Sequence, residues 1–122
     1  VRNFTLTPAI ANFKTQRRKQ MIRVNVMYPK QEGGSFDYDY YLNTHMPLVG
    51  ERWSDVVRGM EVYKGLGGAG GAPEPYVTVA SLKFDSVEAF TQALEAHAEE
   101  IMGDIPNFTN IDPIVQIEEQ LL

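Results

Sequence analysis

The sequence predicts an α+β domain in which two helices cover one face of a four-stranded antiparallel sheet. The chain has 122 residues, which suits one domain. It is 43% hydrophobic and 22% charged, as globular proteins are. Its apolar patterns follow the order strand–helix–strand–strand–helix–strand. No apolar run approaches the roughly 20 residues that cross a bilayer, so we expect no membrane partner and a cytoplasmic protein.

The first strand and helix are predicted over residues 21–53. In residues 21–28, Ile22, Val24, Val26 and Tyr28 alternate with Arg23, Asn25 and Met27, which is the pattern of a strand with two different faces. A loop follows over residues 29–35, and Ser35 is the expected N-cap of a helix over residues 36–53.

Pro47 lies inside this helical pattern. It has no N–H to donate, and its ring disfavours helical geometry at the preceding residue. We therefore expect the helix to end or kink near residues 44–46, with Pro47 starting a second short turn. His45 lies at this break.

The second half of the chain repeats the pattern. Strands are predicted over residues 56–66 and 76–84, joined by a loop over residues 67–75. Asp85 and Ser86 cap a helix that carries an apolar stripe and ends at Gly103, and the fourth strand covers residues 114–118. This order is the ferredoxin-like split arrangement, with both helices on one face of the sheet.

The two helices leave the other face of this sheet uncovered. Depending on the register, it carries Met27, Val77, Val79 and Val115. An apolar face of this kind requires a cover, and a second copy of the chain supplies one. We therefore expect a homodimer with a pocket on each side.

Charge divides the chain into two parts. The net charge is −5, which argues against a nucleic-acid partner. Residues 1–20 contain no acid and five bases: Arg2, Lys14, Arg17, Arg18 and Lys19. We interpret residues 1–20 as a basic N-terminal extension and residues 21–122 as the domain, with Met21 at its start. The alternatives for the extension are a targeting peptide and an arm that packs on a partner subunit.

Composition excludes several classes of site. The chain has no cysteine, so disulfides, thiolate zinc sites, iron–sulfur clusters and cysteine nucleophiles are excluded. His45 would ligate a metal poorly together with Asp37 or Asp39, because Asp37 is two helical turns away and Asp39 points in another direction. Residues 65–70 read GLGGAG, the dinucleotide-binding pattern, but they lead into a strand instead of a helix. We interpret them as a hairpin loop, with a mobile flap as the alternative, and expect no cofactor and no metal.

His45 is the candidate catalytic residue, because an imidazole accepts and donates protons near neutral pH. The alternative is a buried histidine bonded to the broken helix. Tyr38 and Tyr41 share its helical face and are candidate substrate-binding residues or core aromatics. Asn25 and Tyr63 are candidate polar groups of a pocket, or ordinary interface residues. His97 is expected at the surface.

Residues 36–49 read FDYDYYLNTHMPLV and resemble the signature of the EthD family, named for a small protein of ethyl tert-butyl ether degradation. The signature has an aromatic residue, another three positions later, and then histidine, any residue, proline and leucine. The segments 21–29 and 76–84 also resemble family members, so the similarity covers residues 21–122. The family's histidine corresponds to His45 and its aromatics to Tyr38 and Tyr41, although phenylalanine is more usual at position 38.

The resemblance implies a dimeric α+β barrel, a superfamily that includes muconolactone-type isomerases, polyketide cyclases and cofactor-independent monooxygenases. We therefore expect a small soluble enzyme, a cofactor-independent oxidoreductase of the monooxygenase kind, acting on a small apolar or aromatic metabolite in a degradation pathway. His45 would transfer the proton. The alternatives are an isomerase or cyclase that uses the same histidine and a non-catalytic carrier of hydrophobic ligands.

Overall fold

The structure, a computed structural model, describes residues 21–122. The predicted basic extension, residues 1–20, lies outside the described residues. The described chain contains four strands, β1 (Ile22–Pro29), β2 (Val57–Lys64), β3 (Tyr76–Phe84) and β4 (Ile114–Glu119). Its helices are α1 (Tyr38–Tyr40), a π-helical turn (Tyr41–His45), α2 (Met46–Arg52) and α3 (Val87–Gly103). None of these helices is long and apolar enough to cross a membrane.

The four strands form one antiparallel sheet in the order β2-β3-β1-β4. This confirms the predicted ferredoxin-like α+β fold, in which β1 and β3 are central and pair with each other. The helix-side face of β1 carries Ile22, Val24, Val26 and Tyr28, as their alternation predicted. The predicted limits of β3 agree with the observed ones, and those of the other strands differ by at most two residues. The pairing of β2 with β3 contains an irregularity between Val57 and Gly59.

The main core lies between the sheet and the helices. Trp53, which follows α2, packs edge-on against Phe84 of β3 and Phe90 of α3, with ring centroids 5.7 Å and 6.1 Å away. Its indole Nε1 donates a hydrogen bond to the carbonyl oxygen of Ala93 at 3.0 Å. All three rings are buried, so this cluster joins the second half of the chain to the end of α2.

The first helix begins later than predicted. Asp37, not Ser35, is its N-cap, and the Asp37 carboxylate accepts a hydrogen bond from the backbone N–H of Tyr40 at 3.1 Å. Ser35 instead uses its backbone to bind the segment before β4: its carbonyl accepts from the Thr109 hydroxyl at 2.6 Å. The tertiary contact at Ser35 therefore replaces the cap that the local sequence predicted.

The sequence predicts that the helix ends or kinks before Pro47, but the backbone stays helical through Met46 and into Pro47. The chain passes through the π-helical turn, in which the backbone N–H of Met46 bonds to the carbonyl of Tyr41, five residues back. Met46 keeps helical angles, and Pro47 lies in the first turn of α2, where its missing N–H is tolerated. The wider turn accommodates the proline by changing the hydrogen-bond spacing, so the helical segment continues with His45 at the junction.

The glycine-rich loop after β2 is a hairpin connection, as predicted. Gly65 must be glycine, since a Cβ there would collide with the carbonyl oxygen of Tyr76. Gly70 and Gly71 have positive φ angles of 66° and 78°, which glycine adopts readily. Lys30 forms an ion pair with Glu74 at 3.3 Å. No residue of this loop lines the cavity described below, so the flap alternative has no support.

The far face of the sheet, the face away from the helices, is organised in rows across the strands. One row is apolar and crosses all four strands: Tyr63, Val79, Met27 and Ile114. The next row is polar: Glu61, Ser81, Asn25 and Gln116. Val115 was expected here in one register, but it pairs with Val26 and lies on the helix side. Val77 packs against the aromatic cluster around Tyr28.

Replacement of Phe84 by alanine tests the main core. Phe84 is fully buried, so the substitution leaves a cavity between Trp53 and Phe90 and is expected to lower the free energy of unfolding by about 3–5 kcal/mol. Urea unfolding measures this change. Leu66→Ala is the control, because Leu66 is 92% exposed and its loss should cost less than about 0.5 kcal/mol. Equal losses in both variants would contradict this assignment of the core.

Candidate functional site

A cavity of about 190 Å³ lies between the helix-side face of the sheet and the helices. Its wall is almost entirely apolar and comes from β1, β3 and β4, the first helical segment and α3. Val24 and Val26 of β1, Val49 of α2, and Leu94 and Ile101 of α3 are among the lining residues. His45 also lines it and is the only imidazole among the described lining residues. The cavity therefore joins one imidazole to an apolar chamber within a single chain.

His45 is buried, with 4% of its surface exposed. Its Nδ1 lies 2.9 Å from Oδ2 of Asp104, the residue that caps the C-terminus of α3. A carboxylate only accepts hydrogen bonds, so Nδ1 carries the proton and donates it to Asp104. Nε2 is then the nitrogen that is free to accept a proton from a bound molecule.

Asp104 is itself held by two other side chains. The Tyr40 hydroxyl donates a hydrogen bond to Oδ1 at 2.6 Å, and Nδ2 of Asn107 donates to the same oxygen at 2.9 Å. Burial raises the pKa of Asp104, but the hydrogen bonds from Tyr40, Asn107 and His45 together outweigh it, and the net pKa is lowered. Asp104 is therefore a carboxylate at neutral pH, with both oxygens bonded.

Burial also sets the charge of His45. Removal from water lowers its pKa, and the hydrogen bond and charge of Asp104 only partly oppose this effect. The net pKa lies below the ordinary 6.5, so the imidazole is neutral at pH 7. A neutral imidazole with its Nδ1–H held by a carboxylate has the arrangement of a general base.

Aromatic rings hold the imidazole in position. The Tyr41 ring stacks on it, with centroids 5.6 Å apart and planes 15° apart, and Phe108 packs on it at 4.6 Å. Tyr41 and His45 are the first and last residues of the π-helical turn. Tyr41 is 1% exposed and lines the cavity, so it lies beside the predicted catalytic residue.

Tyr38 is not a lining residue of this cavity. Its hydroxyl donates to the carbonyl oxygen of Val77 at 2.9 Å and lies 2.7 Å from Oγ1 of Thr78. Its ring lies under the ammonium group of Lys64, 5.0 Å from the ring centroid. The hydroxyl that distinguishes Tyr38 from the usual phenylalanine thus attaches α1 to β3.

Asn25 and Tyr63 lie on the far face of the sheet and do not share a cavity with His45. Nδ2 of Asn25 donates to Glu118 at 2.9 Å, and the Tyr63 hydroxyl donates to Glu61 at 2.8 Å. Strand alternation turns both side chains away from the helices, so the structure does not bring them together with His45, and their role as substrate-binding residues stays a prediction. These positions agree with the alternative, that they belong to an interface.

Sequence reasoning missed Asp104, Tyr40 and Tyr28. Asp104 lies 59 residues from His45, and its only local signal is its position after the helix-ending Gly103. Tyr28 was recognised as a strand residue, but its presence in the cavity wall depends on where the helices cross β1. Among residues 21–122, no cluster of histidine and acidic side chains is suitable for a metal ion.

The pH dependence of folding tests the protonation state of His45. The folded pKa is lowered, so the unfolded chain binds a proton at this side chain at a pH where the folded chain does not. The free energy of unfolding should fall as the pH drops below about 6.5, and His45→Gln should reduce that fall. Urea unfolding between about pH 7 and about pH 5 measures both slopes. Equal slopes in the two proteins would contradict a lowered His45 pKa.

Comparison with known proteins relates this geometry to solved structures. An EthD-like protein from Ralstonia eutropha JMP134 is 45% identical, with a TM-score of 0.80, over 85% of this chain and 95% of that one. An EthD family protein from Bacillus halodurans C-125 is 21% identical, with a TM-score of 0.59, over 83% and 99%. A DABB family protein with a ferredoxin-like fold from Mesorhizobium loti is 14% identical, with a TM-score of 0.55, over 84% and 98%.

The similarities to the Bacillus halodurans and Mesorhizobium loti proteins concern the fold alone. No family model matches the sequence, and no curated protein matches it significantly. The similarity to the Ralstonia eutropha protein establishes the family, because the 45% identity extends over nearly the whole length of that protein. The chain belongs to the EthD family.

Proposed function

We propose that this protein is a small enzyme in which His45 takes a proton from an apolar or aromatic substrate bound in the cavity. One observation carries the proposal: the Nδ1–H of a buried imidazole is held by Asp104 at 2.9 Å, beside an apolar chamber of about 190 Å³. The base is neutral before the reaction, and the carboxylate stabilises the imidazolium that forms when Nε2 accepts the proton.

The apolar wall of the cavity favours an uncharged substrate over a charged one. A charged ligand would lose its hydration on entry, and the described lining residues include no Lys, Arg, Asp or Glu that could compensate for it. An apolar body is favoured by burial against Val, Leu and Ile side chains. The same wall excludes bulk water from the anion that proton removal creates, so the low local dielectric strengthens its attraction to the imidazolium.

The reaction that we propose is a cofactor-independent oxidation. Removal of a proton from a substrate hydroxyl or carbon leaves an electron-rich anion, and dioxygen is the oxidant that would react with it. A carbon of the anion forms a bond to one oxygen atom, and the resulting peroxide anion takes the proton back from the imidazolium. The hydroperoxide then breaks its O–O bond and loses water, so that the carbon becomes a carbonyl and dioxygen is reduced to that oxygen and one water. The protein's own residues then perform only the binding and the proton transfer. If His45 returns the proton to another atom, the same geometry supports an isomerase or cyclase. If no proton moves, the protein is a carrier of hydrophobic ligands.

Substitution of His45 separates these functions. Purified protein is first screened for turnover with lactones, quinols and polyketide-like phenols, with and without oxygen. His45→Ala should lower kcat by about 10²- to 10⁴-fold, because the base is lost, and should change the ligand Kd only a few-fold. Asp104→Asn should also lower kcat, since an amide can hold the wrong tautomer of the imidazole. Steady-state kinetics and an oxygen electrode measure these effects.

The outcomes of this screen are distinct. Oxygen uptake that follows substrate loss supports the oxidation, and turnover without oxygen supports the isomerase or cyclase. Binding without turnover in the unmodified protein would favour the carrier. Turnover that His45→Ala leaves unchanged would remove His45 from the mechanism.

We also propose that the working unit is a homodimer formed through the far face of the sheet. The row made by Tyr63, Val79, Met27 and Ile114 is apolar across all four strands, and Tyr63 and Ile114 are about half exposed. None of the described helices packs on this face. A second copy would cover the row, and the charged residues at its border would favour one orientation.

Ile114→Glu tests this interface. The unmodified protein should have twice the chain mass of 13.7 kDa in light scattering, and the new carboxylate in the apolar row should shift it toward that single-chain mass. Val87→Glu is the matched control, because Val87 is 44% exposed but lies at the start of α3, away from this face. A dimer that survives Ile114→Glu, or an unmodified protein that is monomeric, would contradict the proposal.

A further inference from the structure

Two buried tyrosines in the cavity wall have unused hydroxyl groups. Tyr28 of β1 and Tyr41 of the π-helical turn are each 1% exposed, and both line the cavity. Neither hydroxyl forms a side-chain hydrogen bond with another of residues 21–122. They are not fully enclosed either, since the fully enclosed polar side-chain atoms without a partner in this part of the chain are Asn25 Oδ1 and Ser81 Oγ. By contrast, the hydroxyls of Tyr38 and Tyr40 each bond to a described residue, as does the indole N–H of Trp53 in the same wall.

A hydroxyl that borders only an apolar chamber makes fewer hydrogen bonds than it makes in bulk water, which is unfavourable. Proteins therefore satisfy such groups with other residues, with water or with a ligand. Here the two hydroxyls belong to rings that border the same chamber as His45. The Tyr28 and Tyr41 ring centroids are 6.2 Å apart, and Tyr41 stacks on the imidazole. The two rings that carry these hydroxyls are thus neighbours in a wall that is otherwise apolar, and one of them lies against His45.

We propose that Tyr28 and Tyr41 bind one uncharged oxygen atom of the substrate, a hydroxyl or a carbonyl, and hold it beside His45. This inference deepens the proposed function, since it uses the same cavity and names the polar group that the substrate must carry. Both tyrosines remain neutral, because burial raises the pKa of each. A neutral hydroxyl donates to a carbonyl oxygen and also accepts from a phenol, so both kinds of oxygen fit.

The volume of the cavity limits the rest of the molecule. A cavity of about 150 Å³ lined by Leu, Ile and Phe accommodates benzene. The cavity here measures about 190 Å³, which leaves room for one ring with one or two further non-hydrogen atoms. The substrate class is therefore a one-ring compound that carries a neutral oxygen atom, such as a small phenol or a cyclic ketone.

The test compares 4-methylphenol with toluene, which has the same ring and methyl group but no oxygen. The unmodified protein should bind 4-methylphenol more tightly. Tyr28→Phe should weaken that binding about five- to tenfold and leave toluene unchanged within about twofold, as expected for one lost hydrogen bond. Calorimetric titration or amide chemical shifts measure both affinities. Tyr76→Phe is the control, since Tyr76 is not a lining residue, and it should change neither affinity.

Melting temperature gives a second measurement. A hydroxyl with no partner adds nothing to the stability of the empty protein, so Tyr28→Phe and Tyr41→Phe should melt no lower than the unmodified chain. A variant that fails to fold or melts lower would show a structural role for the hydroxyl and overturn the proposal. Equal weakening of both probes, or no weakening of either, would also overturn it. Neither measurement uses turnover, so a failure of His45 as a base would leave these results unaffected.

Discussion

The hydrogen bond between His45 and Asp104 is the interaction on which the site depends. It joins the junction of the π-helical turn and α2 to the C-terminal cap of α3. A carboxylate at a helix C-terminus is unfavourable by about 0.3–1 kcal/mol, because that end of the helix carries partial negative charge. Hydrogen bonds to a charged group each contribute about 1.5–3 kcal/mol, and Asp104 accepts three. The bonds therefore outweigh the cost of its position.

The π-helical turn determines the direction in which the side chains of Tyr41 and His45 face. In an α-helix the register of side chains is constant, whereas the extra residue of a π turn rotates the following segment. Here Tyr41 and His45 are both buried at the two ends of the turn, with their rings stacked, while the residues between them are exposed. Pro47 is the second residue after the turn, so one feature accommodates the missing N–H and directs the side chains of Tyr41 and His45 into the protein.

The two faces of the sheet carry different groups of side chains. The helix-side face supplies the wall of the cavity, and Tyr28 places a hydroxyl there among aliphatic side chains. The far face carries an apolar row beside a polar one, which includes Asn25 and Ser81. Because successive side chains of a strand point to opposite faces of the sheet, a substitution at a single β1 position changes one face alone. The proposed binding and the proposed association would thus rely on alternate residues of the same strand.

The sequence by itself determined the fold and identified His45 as the candidate catalytic residue. Strand alternation and helical stripes depend on neighbours two to four positions away, so they are readable without tertiary contacts. The signature around His45 is local in the same way. The partner of His45 cannot be read from local sequence, because Asp104 is 59 residues away along the chain. Asp104 reaches His45 only when α3 packs on the sheet. Alternation likewise separated Asn25 from Tyr28, but only the packing of the helices decided which of these two faces encloses the cavity.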